Sequence, residues 1–64
     1  MPEVTISLVA GRSNEQKRNL MLEITQAVVK NCNVPAEAVV VQINEARPND
    51  KMKGGQTFEE RMKK

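Results

Sequence analysis

One helix-length amphipathic segment lies between two short β-branched runs, and that order narrows the folds open to this chain more than any other feature. In the first run, Val4, Ile6 and Leu8 alternate with Thr5, Ser7 and Val9. Period two with β-branched residues predicts a strand over Val4 to Val9. Ala10-Gly11 breaks the run, and Ser13-Asn14-Glu15-Gln16 follows. A serine with a glutamine three residues on predicts a capping box, in which each side chain takes an orphan amide of the other residue. Glu15 in the first turn suits the positive end of the helix dipole. From Asn14 to Asn31 or Cys32, Leu20, Ile24, Ala27 and Val28 fall at i, i+4, i+7 and i+8, one apolar stripe. Pro35 disfavours helical geometry at Val34, so the helix is expected to stop there. The second strand reads over Ala38 to Glu45, where Val39, Val41 and Ile43 alternate with Val40, Gln42 and Asn44. Its Val-Val-Val centre predicts burial on both faces.

A strand–helix–strand connection of this length favours parallel strands with a right-handed crossover. The expected class is α/β (α+β), a βαβ unit. Beyond it, Arg47-Pro48-Asn49-Asp50 has turn composition and Gly54-Gly55 is a second break. Met52 to Phe58 therefore reads as a short hairpin or swapped edge segment. Glu59 to Lys64 reads as a frayed helical turn or a disordered end.

Sixty-four residues read as one domain, residues 1–64, and one this small buries only about 60% of its unfolded surface. Disulfides, metals or further subunits usually supplement so small a core. A single cysteine, Cys32, forms no internal bridge, and with no histidine there is no zinc constellation. Cys32 itself reads as a small buried hydrophobe, since no base accompanies it. With one aromatic residue, Phe58, the core also lacks bulk. Oligomerisation is the economical expectation.

Net charge is +2, with ten basic and eight acidic residues interspersed. Nucleic-acid binders concentrate their basic residues on one face and add stacking aromatics. Neither pattern is present, so no nucleic-acid partner is expected; the basic end Arg61-Met62-Lys63-Lys64 reads as a solvated terminus. No apolar run approaches the ~20 residues of a membrane span. The first dozen residues include Glu3 and Arg12 and no long apolar core, so no signal peptide is expected. With a free thiol, this predicts a soluble cytoplasmic protein.

Several of these residues together carry a resemblance. Pro2 stands next to the start, and Gly11-Arg12 leads into Glu15-Gln16-Lys17. Leu20, Ile24-Thr25 and Ala27 follow, then Pro35, a valine-rich strand ending Asn44-Glu45, and Gly54-Gly55. From Pro2 to Gly55, without a gap, the chain resembles the 4-oxalocrotonate tautomerase family of the tautomerase superfamily. The resemblance implies a βαβ subunit with a short C-terminal hairpin, assembled as a homohexamer, a trimer of dimers. It implies a keto–enol isomerase that uses no cofactor or metal. Its small anionic substrate would be a 2-hydroxydienoate, or a simpler enol such as that of phenylpyruvate, with a 2-keto acid as product.

The residues support that chemistry on their own terms. With Met1 removed, Pro2 is a secondary amine at the chain end. Apolar burial and a nearby arginine both disfavour its ammonium form, which makes it a better base near neutral pH. Arg12 can hold a carboxylate through two parallel hydrogen bonds. Along a strand at about 3.3 Å per residue the two are roughly 30 Å apart. They share a pocket only if different subunits contribute them, the arrangement the resemblance implies.

Two positions depart from the pattern. The resemblance places a second functional arginine in the second strand, at the position of Val40. It also places a phenylalanine ahead of the Gly-Gly pair, at the position of Lys51. The second arginine and the aromatic wall are therefore both expected to be missing, with Arg47, Lys51 or Lys53 as replacement cations. Two other classes fit the same chain: a catalytically silent oligomeric ligand-binding or scaffold protein, and a basic binding module using Arg61–Lys64.

Overall fold

At Ser13 the chain enters its helix through the reciprocal bonds the sequence predicts. The Gln16 amide donates to Ser13 Oγ at 3.1 Å, and the Ser13 amide donates to Gln16 Oε1 at 3.0 Å. Loss of such a cap typically costs about 1 kcal/mol. In the computed structural model, which describes residues 1–62, this helix, α1, spans Asn14–Cys32. Its end is set earlier than Pro35. Asn33 adopts the left-handed conformation, φ 55° and ψ 52°, and its amide donates to the Val29 carbonyl. Asparagine tolerates that geometry better than most residues, so it closes the helix before the proline acts.

Strand β1 covers Glu3–Val9 and β2 covers Val40–Ala46. They run parallel, with Val4 beside Val41, Ile6 beside Ile43 and Val9 beside Ala46. The second strand starts two residues later than its alternation suggests. Pro35 opens a short 3-10 turn at Ala36–Ala38, with Ala38 N–H on Pro35 O at 3.0 Å. That turn uses the backbone groups a strand would need.

One face of the two-stranded sheet carries Val4, Ile6, Leu8, Val41 and Ile43, all half-buried beneath α1. Leu20, Ile24 and Val28 meet them from the helix, whereas Ala27 is exposed and falls outside the packed stripe. Cys32 is exposed as well, not buried, because it lies in the final turn beyond the sheet. The other sheet face shows Glu3, Thr5, Ser7, Gln42 and Asn44, with apolar Val9 and Ala46 at one end and Val40, at 37% exposure, at the other. Within one protomer, β2 is therefore covered on one face only.

The remaining chain forms an arm. A short turn at Pro48–Asp50 leads to a two-stranded antiparallel hairpin, β3 (Met52–Lys53) and β4 (Gln56–Thr57). Gly54 and Gly55 connect them with φ of 63° and 83°. Two positive φ values in a two-residue loop make a type I′ turn, which matches the strand twist and favours glycine. Helix α2, Phe58–Met62, follows directly. Thr57 and Glu60 cap it reciprocally, with Thr57 N–H on Glu60 Oε1 at 2.8 Å and Glu60 N–H on Thr57 Oγ1 at 3.1 Å. Lys63 and Lys64, half of the basic end, lie outside the described residues.

None of the described residues is fully buried. The protomer has a radius of gyration of 15.0 Å and extents of 44 × 22 × 14 Å. A compact chain of this length would have a radius of about 11 Å. The fold is thus an open plate with an arm.

Candidate active site

Pro2 precedes β1 at the N-terminal end of the parallel pair. It is half-buried, and its carbonyl accepts the Val40 amide at 2.9 Å. This bond anchors the proline to the start of β2, and the fixed φ of its ring removes a further degree of freedom. Val40, where the resemblance places an arginine, is thus next to Pro2 through the backbone. Its side chain shares a sheet face with Glu3, its register partner.

Arg12 stands beyond the other end of β1. The seven residues of that strand separate it from Pro2, so one protomer does not bring the two together. The turn that carries Arg12 leaves the strand at Ala10, whose amide donates to the Ala46 carbonyl at 2.8 Å. Gly11, at φ 140°, then redirects the chain toward the helix. The guanidinium is exposed and gives one hydrogen bond, Nη1 to the Val9 carbonyl at 3.0 Å. Among the described residues it has no carboxylate partner. A tethered, unpaired guanidinium can receive an anion.

Arg47 follows β2 directly, so it too lies at the C-terminal end of the parallel pair. Its Nε donates to Asp50 Oδ2 at 2.7 Å, and this bond and the carboxylate charge raise its pKa above the ordinary value. Its guanidinium is committed to the turn. Lys51 is half-buried, and its Nζ lies 5.6 Å from the centroid of the Phe58 ring, within cation–π range. Lys53 is exposed on the hairpin, where its carbonyl accepts a long 3.4 Å bond from Arg61 Nη1.

An aromatic residue does stand beside Arg12. Phe58 and Met62 of α2, with Val9, Ala10, Gly11 and Arg12, line an open groove of about 500 Å³. From the sequence alone the hairpin segment ends at Phe58 and Glu59 to Lys64 reads as a frayed turn or disordered end, which gives Phe58 no helical setting beside Arg12. The signal was present: Thr57 with Glu60 three residues on is a second capping box, and it places Phe58 in the first helical turn. A second hollow of about 450 Å³, between α1 and β2, includes Lys17 and Glu45, which pair at 3.0 Å. Arg18 lines that hollow too, beside the Lys17–Glu45 pair, whereas the Arg12 groove holds no carboxylate in its lining. Among the described residues, no group of three or more His, Cys, Asp or Glu is placed to hold a metal ion. No helix among them is long and apolar enough to cross a membrane.

This geometry can be set beside known proteins. A family model described as "Tautomerase enzyme" matches residues 2–61. A probable tautomerase of Bradyrhizobium diazoefficiens is 61% identical over 61 residues, covering 95% of this chain and 91% of that protein. Among solved structures, one from work on the 4-oxalocrotonate tautomerase isozymes of Methylibium petroleiphilum superposes with a TM-score of 0.88 at 38% identity. It covers 95% of each chain. A heterohexameric 4-oxalocrotonate tautomerase from Chloroflexus aurantiacus gives 0.86 at 32% identity, covering 94% of this chain and 97% of its own.

Proposed function

The chain belongs to the tautomerase family, and from that premise we propose that it is a keto–enol isomerase of a 2-hydroxydienoate or related enol acid, with Pro2 as general base. Met1 is removed, and the Pro2 nitrogen becomes the reacting amine. That amine takes the proton of the substrate's 2-hydroxyl. The enol electrons shift along the conjugated system, and the same proton returns to carbon, leaving a 2-keto acid. Arg12 of a neighbouring subunit holds the carboxylate and stabilises the charge that develops beside it. The single observation that carries the reading is the placement of a half-buried, backbone-anchored Pro2 and an unpaired Arg12 at opposite ends of β1.

Such a site needs an assembly, and we take it to be a homohexamer. The open plate, the absence of any fully buried described residue and the outer edges of a two-stranded sheet all favour further copies. Arg47 is left out of the site because Asp50 holds it. Lys51 acts at the site through the Phe58 ring that it faces.

The test is turnover. Met-processed protein should convert the enol of phenylpyruvate or 2-hydroxymuconate to the keto form, and Pro2→Ala should not. Equal rates in the two proteins would refute the assignment. Val40 favours a second reading, a silent ligand-binding member of the fold, since valine cannot draw charge from a substrate. That reading predicts carboxylate binding with no turnover in processed wild type.

A further inference from the structure

We propose that Phe58 sets specificity: its ring is the wall against which the tail of an Arg12-bound carboxylate lies, and it selects aromatic tails over short non-aromatic ones. This rests on the reading above that Arg12 holds the substrate carboxylate.

Three features of the groove converge on that assignment. It holds about 500 Å³, within the range of small-molecule sites, and joins one unpaired guanidinium to an otherwise apolar lining. An anion with an apolar tail is the complementary shape and charge. Second, the ring sits on a fixed backbone. Phe58 N–H donates to the Lys51 carbonyl at 2.8 Å, and the Thr57–Glu60 cap fixes the turn on which the ring is mounted. A ring already in place loses little freedom when a ligand arrives. Third, Lys51 Nζ stands over the ring at 5.6 Å, which adds a second cation near an incoming anion. An aromatic tail gains a ring contact here, and the three-carbon tail of crotonate has too little surface to reach it.

The experiment compares two carboxylates that share a head and differ in the tail: cinnamate and crotonate. Each is titrated into the Met-processed assembly by calorimetry, with sedimentation confirming that every variant assembles. Wild type should bind cinnamate more tightly. Phe58→Leu, which keeps apolar bulk, should reduce that preference by about three- to tenfold while crotonate stays within about twofold. Phe58→Tyr should restore the preference, and Arg12→Ala should weaken both ligands. Should Phe58→Leu fail to assemble, Phe58→Met makes the same comparison. Equal weakening of both ligands by Phe58→Leu, or an unchanged preference, would overturn the proposal. So would an Arg12→Ala protein that binds both as wild type does. Because calorimetry needs no turnover, the cinnamate preference can stand even if the protein proves catalytically silent.

Discussion

The two ends of β1 are built on different principles. At the N-terminal end Pro2 is half-buried, held by a backbone bond from Val40 and joined to one rigid ring. At the C-terminal end Arg12 is exposed on a glycine-led turn, with a groove and an aromatic side chain beside it. The first arrangement suits a group that must be aimed and kept from water. The second suits a group that must capture a charged molecule arriving from solvent. Proton transfer and anion capture make opposite demands on burial, and a seven-residue strand keeps them apart within each chain. In the proposed function, assembly brings one kind of end to the other.

The sharpest way to break this comparison is at the half-buried end. Pro2→Ala on processed protein should lower kcat by about 10²–10⁴-fold, the usual worth of a general base, measured by loss of enol absorbance. For wild type, kcat/KM should rise with pH as the proline amine loses its proton, and the rise should vanish in Pro2→Ala. At the exposed end, Arg12→Ala should act mainly on KM. A charged hydrogen-bond pair worth about 1.5–3 kcal/mol corresponds to a rise of roughly 10–150-fold.

Smaller effects separate the arm from the plate. A Cβ at Gly55 would meet no atom within 4 Å, so Gly55→Ala isolates the backbone cost of φ 83°. About 1–2 kcal/mol of destabilisation is expected by denaturant titration at fixed protein concentration. Thr57→Ala should cost about 1 kcal/mol and loosen the groove, seen as a raised KM with kcat near wild type. Arg47→Ala should change neither parameter measurably, because its exposed pair with Asp50 lies outside the groove lining.

The same division governs what the sequence makes legible. β1, α1 and β2 announce themselves through period and composition, because each buries one face against the others and the spacing of apolar residues records it. The Gly54-Gly55 turn is equally plain, since two consecutive positive φ values favour that residue type. Boundaries were less legible where two local signals competed. The helix ends at Cys32, where the sequence places it, but the left-handed Asn33 closes it ahead of Pro35, and the turn that Pro35 begins delays β2 to Val40. Cys32 reads as buried because no base accompanies its thiol, yet it is exposed in the last turn of α1. Of the site, the separation of Pro2 and Arg12 follows from strand length alone. The meeting of Phe58 with Arg12 does not, because it depends on where the arm folds back, and no periodic pattern encodes that. Arg47 shows the converse: a cation at the right end of the sheet, withdrawn by a carboxylate three residues away.

The shared site can be tested directly by mixing subunits. Pro2→Ala and Arg12→Ala proteins, assayed at a substrate concentration well below KM where both are slow, are unfolded together in equal amounts and refolded. In a site built from two chains, random mixing pairs an intact Pro2 with a neighbour's intact Arg12 in about one quarter of the sites. Activity should return to about that fraction of wild type, and refolding either variant alone should restore none. A mixture no more active than its parents would contradict the account, because it would place both residues' work within a single chain.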